Sequence, residues 1–451
     1  MVVELQPAAS PDRADAIEHA IERVGQADVR LVDLQFSDIA GGARAMTIPA
    51  DLARTILTHG YRFDGSAVTG GLREIELDLY LMPDPTTLRL ASPVAGAEPR
   101  GQLTCSIIRR DGQPFAGDPR SILERALTEA RAEGYDYRVA VELEYYLFRP
   151  EAVGVQVADE AGYFGIGQEH GAAARDEIVA TLQAMGIRVG GAHHETGPGQ
   201  EELDLLPEPA LRMADQVLAV RQVIRAVAGR HGLRANFMPK PLADAPGSGM
   251  HVFQRLLRSA DGTDALRGDD DELSPMARHV IAGQLAHAPA MAAVLCPGVN
   301  SYKRLAAGHR APRHATWARL SQASLIRVPS WSPAQGSHVE LELRLPDNLA
   351  NPYLALTVAL ACALDGTRIA DEPPTPLDEN LVRYDDAELE RLGVPRLPAT
   401  LGDALEAFAE DDLVRDALGD YVSGQLLYVK RAEWNDYSRH VSSWEYARYG
   451  E

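Results

Sequence analysis

The sequence is poor in cysteine and has no excess of basic residues. Its 451 residues include three cysteines, Cys105, Cys296 and Cys362, whose spacing fits neither a disulfide framework nor a zinc site. So few cysteines are expected of a protein in a reducing compartment. The formal net charge is -21, and the clustered Lys and Arg of a nucleic-acid-binding surface are not seen. We therefore expect no nucleic-acid partner.

The sequence also has no long apolar run and none of the common nucleotide-binding loops. Its longest apolar run, Tyr353 to Leu364, is too short to span a bilayer, and no basic segment followed by an apolar stretch marks a secretory signal. We therefore expect a cytoplasmic protein without a membrane partner. Neither a Walker loop nor a Rossmann glycine fingerprint after a strand occurs. The phosphates of any nucleotide must then be held by metal ions and arginines.

Carboxylates and histidines occur at metal-ligand spacing in four separate stretches. The run Tyr137 to Phe148 is rich in aromatic and β-branched residues and predicts a strand, so Glu142 and Glu144 lie on one face of it. The same alternation applies to Glu342 and Arg344. The other two stretches are His193-His194-Glu195 with Glu202, and Gly249-Met250-His251.

The number of these acids decides how they are interpreted. A single Glu-x-Glu on a strand is usually a solvated face. Here several acids lie among glycines and apolar residues that predict burial, where an unpaired carboxylate is very unfavourable. Carboxylates with one histidine suit Mg²⁺ or Mn²⁺, and zinc is disfavoured because no cysteine pair accompanies them. The sequence therefore predicts a two-metal site for phosphoryl transfer.

At these residues the chain resembles the glutamine synthetase family, in its bacterial-type branch. The matching motifs occur in the same order as in the family, from about residue 12 to the C-terminus. They are Phe63-Asp64-Gly65-Ser66, the Glu142/Glu144 strand, His193 to Glu202, Phe237 to Pro241, Gly247 to His251, Asn300 to Leu305, Ile326-Arg327-Val-Pro, Arg344-Leu-Pro-Asp and Ala350 to Tyr353.

The resemblance implies an α+β fold. A small N-terminal β-grasp-like domain would precede a large C-terminal catalytic domain with a curved antiparallel sheet, as in glutamine synthetases and guanido kinases. Turn-forming residues at 111–112 and 117–119 mark the boundary. We expect a disordered N-terminus at 1–11, the β-grasp-like domain at 12–112, and the ATP- and metal-binding catalytic domain at 113–451. Apolar spacing predicts helices from Asp12 to Gly25 and from Ser121 to Ala132.

The resemblance also implies ATP and two or more Mg²⁺ or Mn²⁺ ions as cofactors, with ligands from six side chains. One ion is assigned to Glu144, Glu195 and Glu202, and the other to Glu142, His251 and Glu342. The remaining roles are Arg304 on the α-carboxylate of glutamate, Arg344 by the reacting carboxyl, Arg327 at the nucleotide phosphates, Lys303 and Ser248 in nucleotide binding, and Asp64 as the base that takes a proton from the amine.

Two departures from the family pattern concern the reaction itself. The family carries a flap glutamate in a Gly-Tyr-Glu-Ala-Pro word that helps to bind ammonium, and Arg310 stands at that position here. At about 4 to 5 Å and an effective dielectric constant near 20, a unit charge beside a bound cation is worth roughly 3 to 4 kcal/mol. An inward Arg310 therefore disfavours an ammonium pocket. Gln322 replaces an arginine associated with the phosphoryl group.

These features favour an ATP-dependent ligase that joins glutamate to a primary amine through a γ-glutamyl phosphate. The amine would be a polyamine, ethanolamine or another alkylamine, and an inward Arg310 also suits an amine bearing a carboxylate. The alternatives are glutamine synthesis from ammonia, and a catalytically weak regulatory homologue.

The resemblance further implies a dodecamer of two hexameric rings, with Asp64 donated across a subunit interface. Val382 replaces a modified tyrosine of some members, so control by nucleotidylation is not expected, although Tyr384 lies nearby.

Overall fold

The computed structural model describes residues 11–68, 77–90, 99–150, 156–166, 171–269, 272–307, 310–330, 338–378, 384 and 386–450. The expectation of disorder at 1–10 and the Val382 position lie outside the described residues. The first helix includes Pro11, which was expected to belong to the disordered segment. No described helix is both long enough and apolar enough to cross a membrane.

The described residues of the first part of the chain form a sheet of six strands with two α-helices. Ile17, Ala20 and Val24 lie on the buried face of the first helix because they recur at helical spacing. The elements are α1 (Pro11–Gln26), β1 (Leu31–Ser37), β2 (Ala43–Pro49), α2 (Ala53–His59), β3 (Tyr61–Asp64), β4 (Asp78–Pro83), β5 (Arg89–Leu90) and β6 (Arg100–Ile108). The order is β2-β1-β6-β4-β3, with β5 on β6; β1 and β6 are parallel and the other pairs antiparallel.

The second part of the chain contains a sheet of nine strands and twelve described helices. Its strands are β7 (Tyr135–Arg149), β8 (Gln156–Val157), β9 (Val189–His194), β10 (Gln200–Pro209), β11 (Arg234–Asn236), β12 (Met250–Arg258), β13 (Trp317–Ala318), β14 (Ile326–Arg327) and β15 (Leu341–Leu343). Its helices are α3 (Pro119–Ala132), α4 (Ala172–Ala184), α5 (Ala210–Arg230), α6 (Pro275–Ala286), α7 (Ala288–Leu295), α8 (Val299–Ala307), α9 (Pro352–Ile369), α10 (Asp386–Arg391), α11 (Leu401–Glu410), α12 (Asp412–Leu418), α13 (Asp420–Arg439) and α14 (Ser443–Tyr449).

The large sheet is curled and runs in the order β13-β14-β15-β12-β7-β10-β9, with β8 and β11 also paired to β7. All its pairs are antiparallel except β13 and β14, which are parallel. The predicted fold class is confirmed, with a mixed rather than purely antiparallel sheet. The predicted strand at Tyr137 to Phe148 lies within β7.

Strand β7 separates the hydrophobic core from the acidic residues. Val139, Val141 and Leu143 are buried in the core, whereas the alternating positions Glu142 and Glu144 are less buried on the other face. This follows from the period of two in side-chain direction along a strand. The core side of the sheet is covered by helices that include α3 and α5, and α9 packs against these helices.

A buried arginine connects the two parts of the chain. Arg120, at the start of α3, contacts Asp215 of α5 through Nε at 3.1 Å, and contacts Asp84 of the first part through Nη2 at 2.9 Å. Tyr353 of α9 donates its hydroxyl to Asp215 at 2.6 Å. The helix α3 begins two residues earlier than the predicted Ser121, because Asp118 caps its first turn.

Candidate active site

The register of three neighbouring strands brings the predicted metal ligands together. Glu142 of β7 lies opposite His251 of β12, and Glu144 of β7 lies opposite Glu202 of β10. Directly opposed residues in antiparallel strands have adjacent side chains on one face. The remaining ligands are Glu195, in the turn after β9, and Glu342 of β15.

The six predicted ligands lie in the two groups that the family resemblance implied. Glu144, Glu195 and Glu202 each offer a carboxylate oxygen, and these oxygens lie within 4.8 Å of one another. The ligand atoms of Glu142, His251 and Glu342 meet the same limit. Five carboxylates and one imidazole form a donor set that suits a hard divalent cation. The residues therefore fit the metal ions of the prediction, and the assignment of each ligand stays a prediction.

His251 lies between the two groups. Its Nδ1 is 3.2 Å from Glu142 Oε2 and 3.7 Å from Glu342 Oε1, while its Nε2 is 3.9 Å from Glu144 Oε1. Burial, together with the guanidinium groups of Arg344, Arg304 and Arg327, holds the pKa of His251 well below its usual range. The imidazole is therefore neutral at pH 7, the form that can bind a metal ion.

Burial and mutual repulsion raise the pKa values of several carboxyl groups in the two clusters. Burial, followed by the nearby carboxylates of Glu202 and Glu342, raises the pKa of Glu142 to about 9. Burial and the Glu202 carboxylate likewise raise the pKa of Glu144, and burial raises the pKa of Glu195. A divalent cation placed among these oxygens would favour their ionised forms.

Two arginines already contact the most deeply buried of these acids. Glu342 is fully buried, and its two carboxylate oxygens accept hydrogen bonds from Nε of Arg327 and Nη1 of Arg344. Arg327 is the cross-strand partner of Glu342, so strand register explains this pair. Arg344 also donates from Nε to the backbone oxygen of Gln322 at 3.0 Å. The side chain of Gln322 itself is exposed.

A cavity of about 590 Å³ opens beside the first group of acids. Charged and polar side chains on its wall are Glu144, Glu195, Thr196, Gln200, Lys240, Asp244, His251, Arg304 and Arg310. The volume lies within the range of small-molecule sites. Polar groups of both signs converge there, as expected for a site that binds charged substrates.

Arg304 lies deep in this cavity wall. It is 3% exposed, and its Nη1 donates to the Leu345 oxygen at 2.8 Å while its Nη2 donates to the Arg344 oxygen at 2.9 Å. Gly249 leaves room for it, because a Cβ there would lie 2.7 Å from Nη2 of Arg304 and 2.8 Å from Nε2 of His251. A side chain at Gly249 would thus displace both groups.

Arg310 points into the same cavity. Its Nη1 donates to Thr196 Oγ1 at 2.8 Å and lies 3.7 Å from Glu195 Oε1. The backbone at Arg310 has a φ of 56°, which is uncommon for a residue with a side chain. Arg344 Nη2 donates to its carbonyl oxygen at 3.3 Å. The inward direction on which the sequence argument depended is therefore observed.

Three predicted site residues lie apart from these side chains or are already engaged. Asp64 ends β3 of the first part, where it accepts from the backbone of Ser66 at 3.0 Å, and it does not line the cavity. Lys303 is exposed, with Nζ 5.7 Å from the ring centre of Tyr437. Ser248 is fully buried and accepts from Nε2 of Gln200 at 3.3 Å.

Two residues that were not among the six assigned ligands, His193 and Asp204, also lie in the acidic cluster. His193, Glu202 and Asp204 form a third group of close ligand atoms, and the hydrogen bond to Glu202 raises the pKa of His193 to about 9. Asp204 lies two residues after Glu202 on β10, and His193 lies opposite Glu202 on β9. The two-residue spacing was a signal for Asp204, but the pairing of β9 with β10 could not be read from the sequence.

Comparison with known proteins identifies the family. Residues 116–449 match the model of the glutamine synthetase catalytic domain, and residues 28–110 match that of the glutamine synthetase beta-grasp domain. The chain belongs to the glutamine synthetase family. It is therefore a member of a family of carbon–nitrogen ligases, which use ATP and a divalent metal.

Named relatives match almost the whole chain. A glutamine synthetase of Halobacterium salinarum is 38% identical over 445 residues, which cover 97% of this chain and 96% of the relative. A glutamine synthetase of Thermus thermophilus is 38% identical over 432 residues, which cover 94% of this chain and 96% of the relative. The solved structure of a GmaS/ADP complex has a TM-score of 0.85 at 28% identity, covering 95% of this chain and 99% of that one. GmaS without ligand gives 0.84, also at 28% identity, with 96% and 99% covered.

Proposed function

We propose that this protein joins the side-chain carboxylate of glutamate to a primary amine larger than ammonia, with ATP as the phosphoryl donor. The single observation that carries the choice of amine is the guanidinium of Arg310, which points at Glu195 inside the cavity. The two groups of acids support the activation step, because they can hold the divalent cations that a phosphoryl transfer needs.

The proposed reaction proceeds in two steps. A carboxylate is a poor electrophile, so one of its oxygens first attacks the γ-phosphorus of ATP; the bond to the bridging oxygen breaks and ADP leaves. The amine then attacks the carbonyl carbon of the γ-glutamyl phosphate, and inorganic phosphate leaves with the bonding electrons. The amine gives up one proton in this second step. Asp64 of a neighbouring subunit is the proposed acceptor, in a dodecamer of two hexameric rings.

Residues of this chain supply the charge stabilisation. Glu144, Glu195 and Glu202 would hold one divalent ion, and Glu142, His251 and Glu342 the other. Bound ions neutralise charge on the transferred phosphoryl group. Arg327 and Arg344 lie beside Glu342, at the place where this charge would develop. The likeness to GmaS, solved with ADP, supports ATP as the nucleotide, with Arg327, Ser248 and Lys303 as proposed contacts.

The charge of Arg310 acts against ammonium. A small cation bound beside Glu195 would lie close to a fixed guanidinium, which is unfavourable by roughly 3 to 4 kcal/mol at 4 to 5 Å. A larger amine can place its nitrogen at the reacting carbon while the rest of the molecule fills the cavity of about 590 Å³. Synthesis of glutamine from ammonia is the second candidate, because two relatives named glutamine synthetase are 38% identical along nearly the whole chain.

The test is phosphate release from ATP with Mg²⁺ and glutamate, measured against ammonia, methylamine, ethanolamine, putrescine, spermine and amino acids. We expect turnover with at least one larger amine at a kcat/KM well above that for ammonia. The Arg310→Glu variant should raise the use of ammonia. Turnover with ammonia alone would reject the proposal, and no phosphate release with any amine would favour a regulatory role.

A further inference from the structure

Arg310 also bears on the chemical class of the amine, in an inference that rests on the proposed function. We propose that the Arg310 guanidinium binds a carboxylate carried by the amine substrate. The preferred nucleophile is then an amino acid or a similar anionic amine, in preference to a neutral alkylamine or a diamine.

The first support is the set of donors that Arg310 presents. One guanidinium nitrogen, Nη1, is engaged by Thr196 and faces Glu195. Within the ranges that the structure describes, Nε and Nη2 have no hydrogen-bond acceptor. These two donors lie on one edge of the planar group, in the arrangement that binds a carboxylate with two parallel hydrogen bonds. Among the described residues, this carboxylate-binding edge of Arg310 thus has no protein acceptor.

The second support is where Arg310 lies relative to the other arginine of the cavity. Arg304 is 3% exposed and donates to backbone oxygens behind the wall, whereas the Arg310 side chain is 49% exposed. Arg304 is thus a deep group and Arg310 a group at the cavity mouth. A second substrate that approaches an activated carboxyl from solvent meets Arg310 first.

The third support is the charge of the surrounding wall. Glu144 and Glu195 belong to the group that can hold a divalent ion, which would neutralise them. The other cations on the wall are Lys240 and Arg304, and the remaining acid is Asp244, which is exposed and screened by solvent. Apart from the metal-binding acids, the wall therefore carries three cationic side chains and one exposed carboxylate. A second ammonium group on a diamine is repelled there, and a carboxylate is attracted.

The backbone holds Arg310 in this place. Arg310 has a left-handed conformation, and its carbonyl oxygen accepts a hydrogen bond from Arg344. Such conformations are strained for residues with a Cβ and are often found at functional positions. Because Gln, Lys and Glu also carry a Cβ, substitutions to them leave this strain similar. They therefore change the charge and the donors of the side chain while keeping the loop.

The experiment uses amines matched in length that differ only in the charge of the tail. The anionic amines are glycine, β-alanine and 4-aminobutyrate; the neutral ones are ethylamine, propylamine and butylamine; the cationic ones are ethylenediamine, 1,3-diaminopropane and putrescine. For the full-length wild-type protein with Mg²⁺, ATP and glutamate, kcat/KM is measured from phosphate release. Binding of the same amines with Mg²⁺, ADP and glutamate is measured by calorimetry, which needs no turnover.

We expect at least one anionic amine to exceed its neutral and cationic counterparts by roughly ten- to a hundredfold in kcat/KM and in affinity, the range of a charge-assisted hydrogen-bonded pair. Arg310→Gln should lower the kcat/KM and the affinity for that anionic amine to the values of the neutral amine of the same length. Arg310→Glu should reverse the order in favour of the diamines, and Arg310→Lys should keep the order with a smaller difference. Arg54→Gln, which breaks an exposed ion pair with Glu18 in the first part of the chain, is the control and should leave the order unchanged.

Two results would overturn the inference. One is an amine order that Arg310→Gln and Arg310→Glu do not alter. The other is a rise in the KM of glutamate that is equal for every amine, which would place the Arg310 contact on the acid substrate. Neither result touches the proposed function, which fails only if no larger amine supports phosphate release. Conversely, the calorimetric order tests Arg310 even in a protein that shows no turnover.

Discussion

Glu342 contacts three other charged or metal-binding side chains of the site. It is fully buried, yet its carboxylate meets two guanidinium groups and lies 3.7 Å from the imidazole of His251. A buried carboxylate is tolerated only with such partners. Arg327 and Arg344 thereby balance the charge of this metal-ligand candidate, and they lie where negative charge on a substrate phosphoryl group would also be stabilised.

Two neighbouring glutamates of β10 provide a matched test of the metal group. Glu202 faces Glu144 and His193, whereas Glu201 faces the opposite side and pairs with Arg175 at 2.9 Å. Glu202→Gln should weaken Mg²⁺ binding at least about tenfold and abolish ATP-dependent phosphate release, because a neutral amide is a poor ligand for a hard cation. Calorimetric titration with Mg²⁺ measures the affinity.

Glu201→Gln is the control for that substitution. It removes a carboxyl group from the same strand, and any effect should appear in the thermal midpoint rather than in Mg²⁺ affinity. Equal losses of Mg²⁺ affinity in the two variants would show that the charge of the strand matters, and not the face on which the carboxylate lies.

At the level of elements, the sequence predicts features that follow from a local repeat of side chains along a strand. It does not predict contacts that depend on which strands pair and in which register. The alternation along β7 predicted that Glu142 and Glu144 share a face, and the structure confirms it. The ion pair of Arg327 with Glu342 was not predicted, since it depends on the register of β14 against β15. The hydrogen bond from Arg344 to the carbonyl oxygen of Arg310 also joins residues that are distant in sequence. The two groups of metal ligands were assigned from the motifs shared with the family, because contacts between separate strands leave no local pattern in the sequence.

Helix α3 offers a prediction at the element scale. Asp118 is 1% exposed and accepts from the backbone of Ser121 and from that of Ile107 at 3.0 Å, so it caps the helix and joins it to β6. Asp118→Ala should lower the free energy of unfolding by about 1 to 3 kcal/mol, through the lost cap and the donors left unpaired. Denaturant titration measures it.

The conservative change separates capping from charge. Asp118→Asn keeps an oxygen acceptor, and burial raises the pKa of Asp118 to about 6, so its charge is itself unfavourable there. We expect the Asn variant to lose less stability than the Ala variant. An equal loss in both would attribute the effect to the charge instead of the cap.

At the scale of the whole molecule, Arg120 joins the two parts of the chain. Its side chain is 5% exposed, and Asp215 is 2% exposed. Arg120→Met should destabilise the protein by about 3 to 5 kcal/mol, because Asp215 loses its buried counter-charge. Arg131→Met, which breaks an exposed pair with Asp136, should change the unfolding midpoint little. A comparable shift in both variants would show that the buried contact does not hold the two parts together.

The metal groups give the whole molecule a pH dependence that a divalent cation should remove. The raised pKa values of Glu142, about 9, and of Glu144 mean that the folded protein binds more protons than the unfolded chain above pH 5. Stability in EDTA should therefore fall as pH rises from about 5 towards 9. Bound Mg²⁺ or Mn²⁺ stabilises the ionised carboxylates, so with excess metal this fall should be smaller, and binding near pH 7 should release protons.

Thermal unfolding across this pH range, with EDTA or with Mg²⁺, measures the effect, and calorimetry in buffers of different ionisation enthalpy counts the protons. At a free Mg²⁺ concentration one hundred times the dissociation constant, the gain in stability is about 2.7 kcal/mol. Glu142→Gln removes the group with the pKa of about 9 and should flatten the EDTA profile between pH 7 and 9. A profile with the same slope in wild type and variant would show that Glu142 does not carry this proton, because no other residue changes between the two proteins.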